Sequence, residues 1–201
     1  MTRTVTRLFD NYADAQAAVT RLEAMGVPHA DISIVASNAD GRHGDAADGA
    51  ARDAGKGASI GAVAGGAGGL LAGLGLLAIP GLGPVVAAGW LVSTAVGAVA
   101  GAAAGGATGG VVGALTHAGV KESDAHVYAE GVRRGGTLVS AKVDDARYSQ
   151  AEAALAEAKG VDAAERGAAY RTSGWTAFDE NAPAYTADQV VEERRTYTTN
   201  F

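Results

Sequence analysis

TVTRLFDNYADAQAAVTRLEAMGVPHADISIVA, residues 4–36, contains in order the patterns of a strand, a helix and a second strand. β-Branched and aromatic residues dominate 4–9, which is typical of a strand. Apolar residues then recur at helical spacing after two capping residues, and Gly26 ends this helix. Residues 31–36 again favour a strand. We therefore predict a compact βαβ unit as the first half of a small α+β domain, over residues 1–36.

The second half of this domain is expected at 117–170, after a long interruption. Its pattern predicts a helix at 122–134, a strand at 137–143, a helix at 148–159 and a weak strand near 163–170. Neither half has enough apolar surface to form a core alone, so the halves are expected to fold onto one another. A ferredoxin-like split βαβ sheet with helices on one face satisfies this order.

A polar linker, 37–56, and then an uncharged run, 57–116, separate the two halves. The run contains two ladders in which glycine occupies every fourth position: Gly57, Gly61, Gly65, Gly69 and Gly73, then Gly97, Gly101, Gly105, Gly109 and Gly113. Residues four apart share one face of a helix, so each ladder predicts a helix surface that another backbone can approach closely. The sequence PGLGP at 80–84 predicts the turn of a helical hairpin.

Two environments suit such a hairpin. A helix over 57–79 would be roughly 34 Å long, against about 30 Å of hydrocarbon, and small residues are the packing residues of membrane helices. Arg52, Lys56 and Lys121 flank the run, so the positive-inside rule predicts an inner-membrane protein with both termini cytoplasmic. The alternative is a cytoplasmic soluble assembly, or shell-like particle, that buries the hairpins between subunits.

Two ladders exceed what one hairpin interface requires, and this favours a homo-oligomer. The partners expected are therefore copies of the chain and membrane lipid. The formal net charge of -6 and the pI near 5.1 argue against nucleic acid as a partner, because no basic face is available for phosphates.

The search for chemistry yields no catalytic, cofactor-binding or metal-binding residues. Residues 49–57 (GAARDAGKG) have five residues, where a phosphate-binding loop has four, between the first glycine and GK. His43, Asp45 and Asp48 lie in the linker without a second histidine. The chain has no cysteine. We therefore predict a protein that is not an enzyme and uses no cofactor.

Two further features concern surfaces. His126 and Glu130 are interpreted as a surface pair, since they lie four residues apart on a helix. Arg133 and Arg134 fit either an anionic partner or a solvated helix end, and the solvated end is favoured because the helix dipole prefers cations there. The tail, 171–201, is predicted to be extended or partly disordered and to dock on a neighbouring subunit or another protein.

The chain also resembles a known family. The opening VTRLFDNYADAQAAVTRLEAMGVPHADISIVAS, the glycine-rich insertion and the return GVKESDAHVYAEGVRRGGTLVSAKV are similar to bacterial general stress proteins that carry the YflT-type heat-induced stress domain. The resemblance covers residues 3–160. It implies a fold and a role in the stress response, and it carries no functional residues over.

Overall fold

The computed structural model describes residues 2–43, 75–94 and 110–198. The elements in chain order are β1 (Thr2–Phe9), α1 (Tyr12–Ala24), β2 (Ile32–Ser37), β3 (Gly75–Ile79), β4 (Gly83–Gly89), α2 (Gly110–His117), α3 (Glu122–Arg133), β5 (Thr137–Asp144), α4 (Asp145–Glu157), α5 (Ala163–Thr172) and α6 (Ala187–Thr198). The predicted α+β class is confirmed. The narrower ferredoxin-like assignment stays a prediction.

The five strands form one sheet in the order β1-β5-β2-β4-β3, and every neighbouring pair is antiparallel. β5 comes from the second half of the domain and lies between the two strands of the first half. Val5 in β1 and Ile32 in β2 are both opposite Ala141 in β5. Because β1 and β2 both run antiparallel to β5, they are parallel to each other. The two halves therefore interlock, as their sparse apolar surface predicts.

Helices cover both faces of the sheet, so the expectation of helices on one face is wrong. Phe9, Ile34 and Val139 point into one core with the apolar residues of α1 and α4. Leu8 and Val35 point into the other core with α2, α3 and α5. Consecutive residues of a strand face opposite sides, so strands that are apolar at nearly every position need a core on each side.

The prediction of a helical hairpin is wrong for residues 75–89 of the run 57–116. Residues 75–79 and 83–89 are strands, and the chain reverses between them as a β-hairpin. Val85 and Val86 are buried on opposite faces of this second strand. A short apolar run bounded by glycine and proline suits a buried strand as well as a helix, and here the free sheet edge beside β2 decides the outcome.

Most of the predicted helix-packing glycines lie outside the described residues, namely Gly57, Gly61, Gly65, Gly69, Gly73, Gly97, Gly101, Gly105 and Gly109. Gly113 lies in α2 and is half-buried. Across the described ranges, no helix combines the length and the apolar character that crossing a membrane requires.

Near the C-terminus one prediction is wrong, and the prediction of an extended tail holds only for the irregular residues 173–186. The weak strand near 163–170 is the helix α5, whose first turn is capped by the Asp162 carboxylate, which accepts a hydrogen bond from the Glu165 amide at 2.8 Å. The predicted extended tail contains α6, and it packs on its own domain through the buried side chain of Val190. The helices α1 and α3 and the strands β1, β2 and β5 are confirmed where they were predicted.

Candidate functional site: an arginine–carboxylate cluster

Four guanidinium groups and four carboxylates meet where α3 ends, beside the last residues of β1 and β2 and the first residues of β5. The arginine–carboxylate cluster consists of Arg133, Arg134, Arg166, Arg194, Asp10, Asp40, Glu130 and Glu193. The formal charges cancel within this set. Such a balance is required when so many charged groups leave water together, because an unpaired buried charge is strongly destabilising.

Glu130 is the centre of the cluster and is fully buried, with 0% of its side chain exposed. Its two oxygens accept hydrogen bonds from Arg133 Nε and Nη2 at 2.9 and 2.8 Å, and Oε1 also accepts one from Arg134 Nε at 2.7 Å. The helical spacing of three and four residues brings both arginines back over the glutamate. The carboxylate is thus held by a two-bond fork from Arg133 and a single hydrogen bond from Arg134.

The C-terminal helix supplies the outer half of the cluster. Glu193 accepts a hydrogen bond from Arg134 Nη1, and Arg194 donates to the Asp40 carboxylate and, through Nε, to the Gly135 carbonyl at 2.9 Å. Tyr185 lies under Arg133 with 5.0 Å between the guanidinium carbon and the ring centroid. This part of the tail is therefore attached through charges and an aromatic face.

A valine completes this attachment. Val190 is the buried apolar residue of α6, and it packs directly on Gly135. A Cβ on Gly135 would come within 2.4 Å of the valine Cγ1, and the glycine has a φ of +101°. Only glycine at this position allows both the turn after α3 and the close approach of the helix.

The inner half of the cluster joins α5 to the end of β1. Arg166 donates to the Asp10 carboxylate at 2.5 Å and is almost fully buried. Tyr170 lies beneath Arg134, with 4.4 Å from the guanidinium carbon to the ring centroid. The crevice among these groups has a volume of about 210 Å³ including the open solvent at its mouth. This is below the roughly 300–1,000 Å³ of typical small-molecule sites.

The surroundings shift the pKa of two groups in and beside the cluster, Arg134 and His43. Burial alone would lower the pKa of Arg134, but hydrogen bonds and charges from Glu130 and Glu193 outweigh it and raise that pKa. Burial, followed by the positive charge of Arg194, lowers the pKa of His43. The arginine is thus permanently charged and the histidine is held neutral near pH 7.

The structure changes the interpretation of several residues singled out in the sequence. Arg133 and Arg134 do not form a solvated helix end, since only 13% and 12% of their side chains are exposed. Glu130 does not pair with His126, which instead lies 4.0 Å from Glu122. The two arginines are buried because Glu193 and Tyr185 of the tail pack against them, so this helix end is not exposed to water as the sequence suggests.

Sequence reasoning missed Asp10, Asp40, Arg166, Glu193 and Arg194 as members of one site. The available signal was local: EGVRR at 130–134 and EERR at 192–195 both place carboxylates three or four residues before arginines. Nothing in the sequence shows that these two segments meet. Of the linker residues His43, Asp45 and Asp48, which the sequence does not assign to a metal, the last two lie outside the described residues. Among the described residues, no group of three or more metal-ligating side chains could hold a metal ion.

Comparison with known proteins bears on the first half of the domain and on β3. Residues 4–79 match the family model of the heat induced stress protein YflT domain. This YflT-type match confirms the resemblance over residues 4–79 and supports a role in the stress response. It contains β1, α1, β2 and β3 and ends with the last residue of β3. No curated protein and no solved structure matches the chain.

Proposed function

We propose that the chain is a non-enzymatic stress-response protein that acts through self-association of its glycine ladders. The observation that carries the proposal is the unbroken four-residue spacing of five glycines before and five glycines after residues 75–94. Interior glycines cost a lone helix about 1 kcal/mol each against alanine, so a repeated ladder needs a partner surface to compensate. The YflT-type match supports the stress-response part of the proposal.

The described domain supports a mechanical role more than a chemical one. The charges of the arginine–carboxylate cluster are directed at one another, and each named group already has a protein partner. Such an arrangement fixes the tail relative to the strand ends of the sheet. In the proposal, the domain is the rigid support that presents the glycine ladders to other copies.

The fold also bears on where the ladders pack. Residues 75–94 belong to the domain, as strands and as the buried Trp90 and Leu91, so the two ladders are not joined directly by a turn at 80–84. The second ladder ends in α2, whose Val111, Val112 and Leu115 are buried in the core of the domain, so this end of the ladder packs on protein. The proposal therefore places the ladders between protein copies, and insertion in the inner membrane is the competing outcome of the test.

The test is the particle mass of the full chain in buffer without detergent, measured by light scattering after gel filtration. We expect an oligomer for the natural chain and a marked loss of mass for the variant with Gly65→Leu and Gly105→Leu. The matched control carries Gly66→Leu and Gly106→Leu, one residue away from each ladder. Equal masses for the two variants would contradict the ladder contact. Recovery of the chain only with detergent would favour the membrane form.

A further inference from the structure

The C-terminal helix occupies a groove whose contacts are specific but small in apolar area. The groove has three parts. Val190 packs in a niche at Gly135, and Glu193 accepts a hydrogen bond from the Arg134 guanidinium. Arg194 donates to the Gly135 carbonyl and to the Asp40 carboxylate. Valine, glutamate and arginine occupy positions 190, 193 and 194, on one face of α6. The groove thus recognises a helix with the pattern V-x-x-E-R.

The charges of the groove select this order of side chains. Without α6, Arg133 and Arg134 face the single carboxylate of Glu130, which leaves one positive charge in excess at that end. At the other end, the Gly135 carbonyl loses its guanidinium donor. A helix that carries a carboxylate followed at once by a guanidinium meets both needs. A doubly charged phosphate would meet only the first of them and would approach the Glu130 carboxylate.

The chain leading to α6 is long and largely exposed. Residues 173–186 have no helix or strand, and Gly174 has nothing within 4 Å of the place where a Cβ would be. Fourteen residues can span up to about 46 Å when extended. The segment touches the domain at a few points, among them Trp175 packed edge-on against Tyr170 at 5.7 Å between ring centroids.

We propose that this groove also receives α6 of a second copy of the chain, so that two copies exchange their C-terminal helices. The contacts are the same within one chain and between two, since the second copy brings the same V-x-x-E-R face. One buried valine and two largely buried ion pairs, Arg134–Glu193 and Arg194–Asp40, hold the helix, whereas the core has many buried apolar side chains, so the helix leaves the groove more readily than the core unfolds. Exchange of an identical element is an inexpensive route to a dimer. This contact does not involve the glycine ladders.

The experiment uses two populations of the full chain, which contains no native cysteine. One carries a donor dye through Ala187→Cys on the exposed start of α6, and the other carries an acceptor dye through Arg42→Cys, beside Asp40. Energy transfer after mixing then reports a helix of one copy in the groove of another. Both populations also carry Gly65→Leu and Gly105→Leu, so that association through the ladders does not contribute.

The valine gives the test a direction. Val190→Asp in the donor chain should lower the transfer at least about tenfold, because the carboxylate cannot enter the niche. The same change in the acceptor chain should raise the transfer, because its own helix no longer competes for the groove. Gln189→Glu, on the exposed side of the same turn, adds the same charge and keeps a carboxylate oxygen for the Thr186 amide, so this control should change neither.

Other outcomes overturn the exchange. Absence of transfer between the labelled populations shows that α6 stays in its own chain. Transfer that is equal with and without Val190→Asp shows that the copies meet elsewhere. If transfer appears only when the ladder glycines are restored, the ladder contact is supported and the exchange is rejected, so the two proposals fail separately.

Discussion

Glu130 is the residue on which the arginine–carboxylate cluster depends. It is fully buried and accepts three hydrogen bonds from Arg133 and Arg134. In Glu130→Gln the negative charge is lost and two buried guanidinium groups face an amide. We expect the free energy of unfolding to fall by about 3 kcal/mol, measured from urea denaturation with an unchanged slope.

Glu122→Gln is the control for this prediction. Glu122 lies on the same helix, but 67% of its side chain is exposed and its nearest partner, His126, is 4.0 Å away. Exposed pairs of this kind contribute about 0–1 kcal/mol. A loss for Glu130→Gln no greater than that for the control would show that the cluster contributes little to stability.

Gly89 and Gly119 illustrate two different physical reasons for a glycine in this fold. Both have a φ of +91°, but a Cβ on Gly89 would lie 2.0 Å from the Ile32 carbonyl oxygen, whereas Gly119 has nothing within 4 Å. We expect Gly119→Ala to cost about 1–2 kcal/mol, from backbone strain alone. Gly89→Ala should cost at least about 4 kcal/mol, because the backbone of β2 must move.

Thermal unfolding of the two alanine variants is the measurement. Since Gly89 pairs with Ser33, its variant should also lose protection from hydrogen exchange along β2 and β4. Equal midpoints for Gly89→Ala and Gly119→Ala would mean that the close contact between β2 and β4 is absent in solution.

At the scale of elements, the sequence predicts correctly those segments whose apolar pattern fits only a helix or only a strand. The helices α1 and α3 have apolar residues on one face and glycine at the end, and both are confirmed. β3 and β4 lie in an uncharged run where apolar residues do not distinguish helix from strand, and only the pairing with β2 settles them. The same holds for the cluster: its local pairs are visible in the sequence, but the meeting of α3 with α6 is not.

The capping of α5 by Asp162 predicts how the stability of the protein depends on pH. The hydrogen bond from the Glu165 amide, helped by Arg7, lowers the pKa of Asp162 below its ordinary 3.8. A lowered pKa in the folded state adds stability above the unfolded value, and this stability is lost as the pH falls through the folded value. Asp162→Asn should therefore be less stable than the natural chain near neutral pH, and the difference should shrink below about pH 4.

Urea midpoints from about pH 7 down to about pH 2 measure this difference. Because 46% of the Asp162 side chain is exposed, the effect is moderate. Asp188→Asn, at an exposed position of α6, serves as the control and should follow the natural chain at every pH. A gap between Asp162→Asn and the natural chain that stays constant into acid would contradict the lowered pKa.

At the scale of the whole molecule, the YflT-type match and the folded unit do not coincide. The match covers 4–79 and stops at the end of β3, but β5, from residues 137–144, lies between β1 and β2. Within the described part of the chain, β1 has β5 as its only strand neighbour in the sheet. The matched segment therefore depends on distant residues for its central strand, and this has a consequence for its ability to fold alone.

A chain divided between Thr94 and Ala95 tests this dependence. The fragment 1–94 contains β1, β2, β3 and β4 without the strand that joins β1 to the rest, and the fragment 95–201 contains β5 without any neighbour. We expect neither fragment to show a cooperative thermal transition by circular dichroism, because the first lacks the strand between β1 and β2 and the second has no strand to pair with β5. Mixing them should restore the transition, since β5 then completes the sheet. Cooperative unfolding of 1–94 alone would instead identify the YflT-type segment as an independent domain and β5 as an accessory strand.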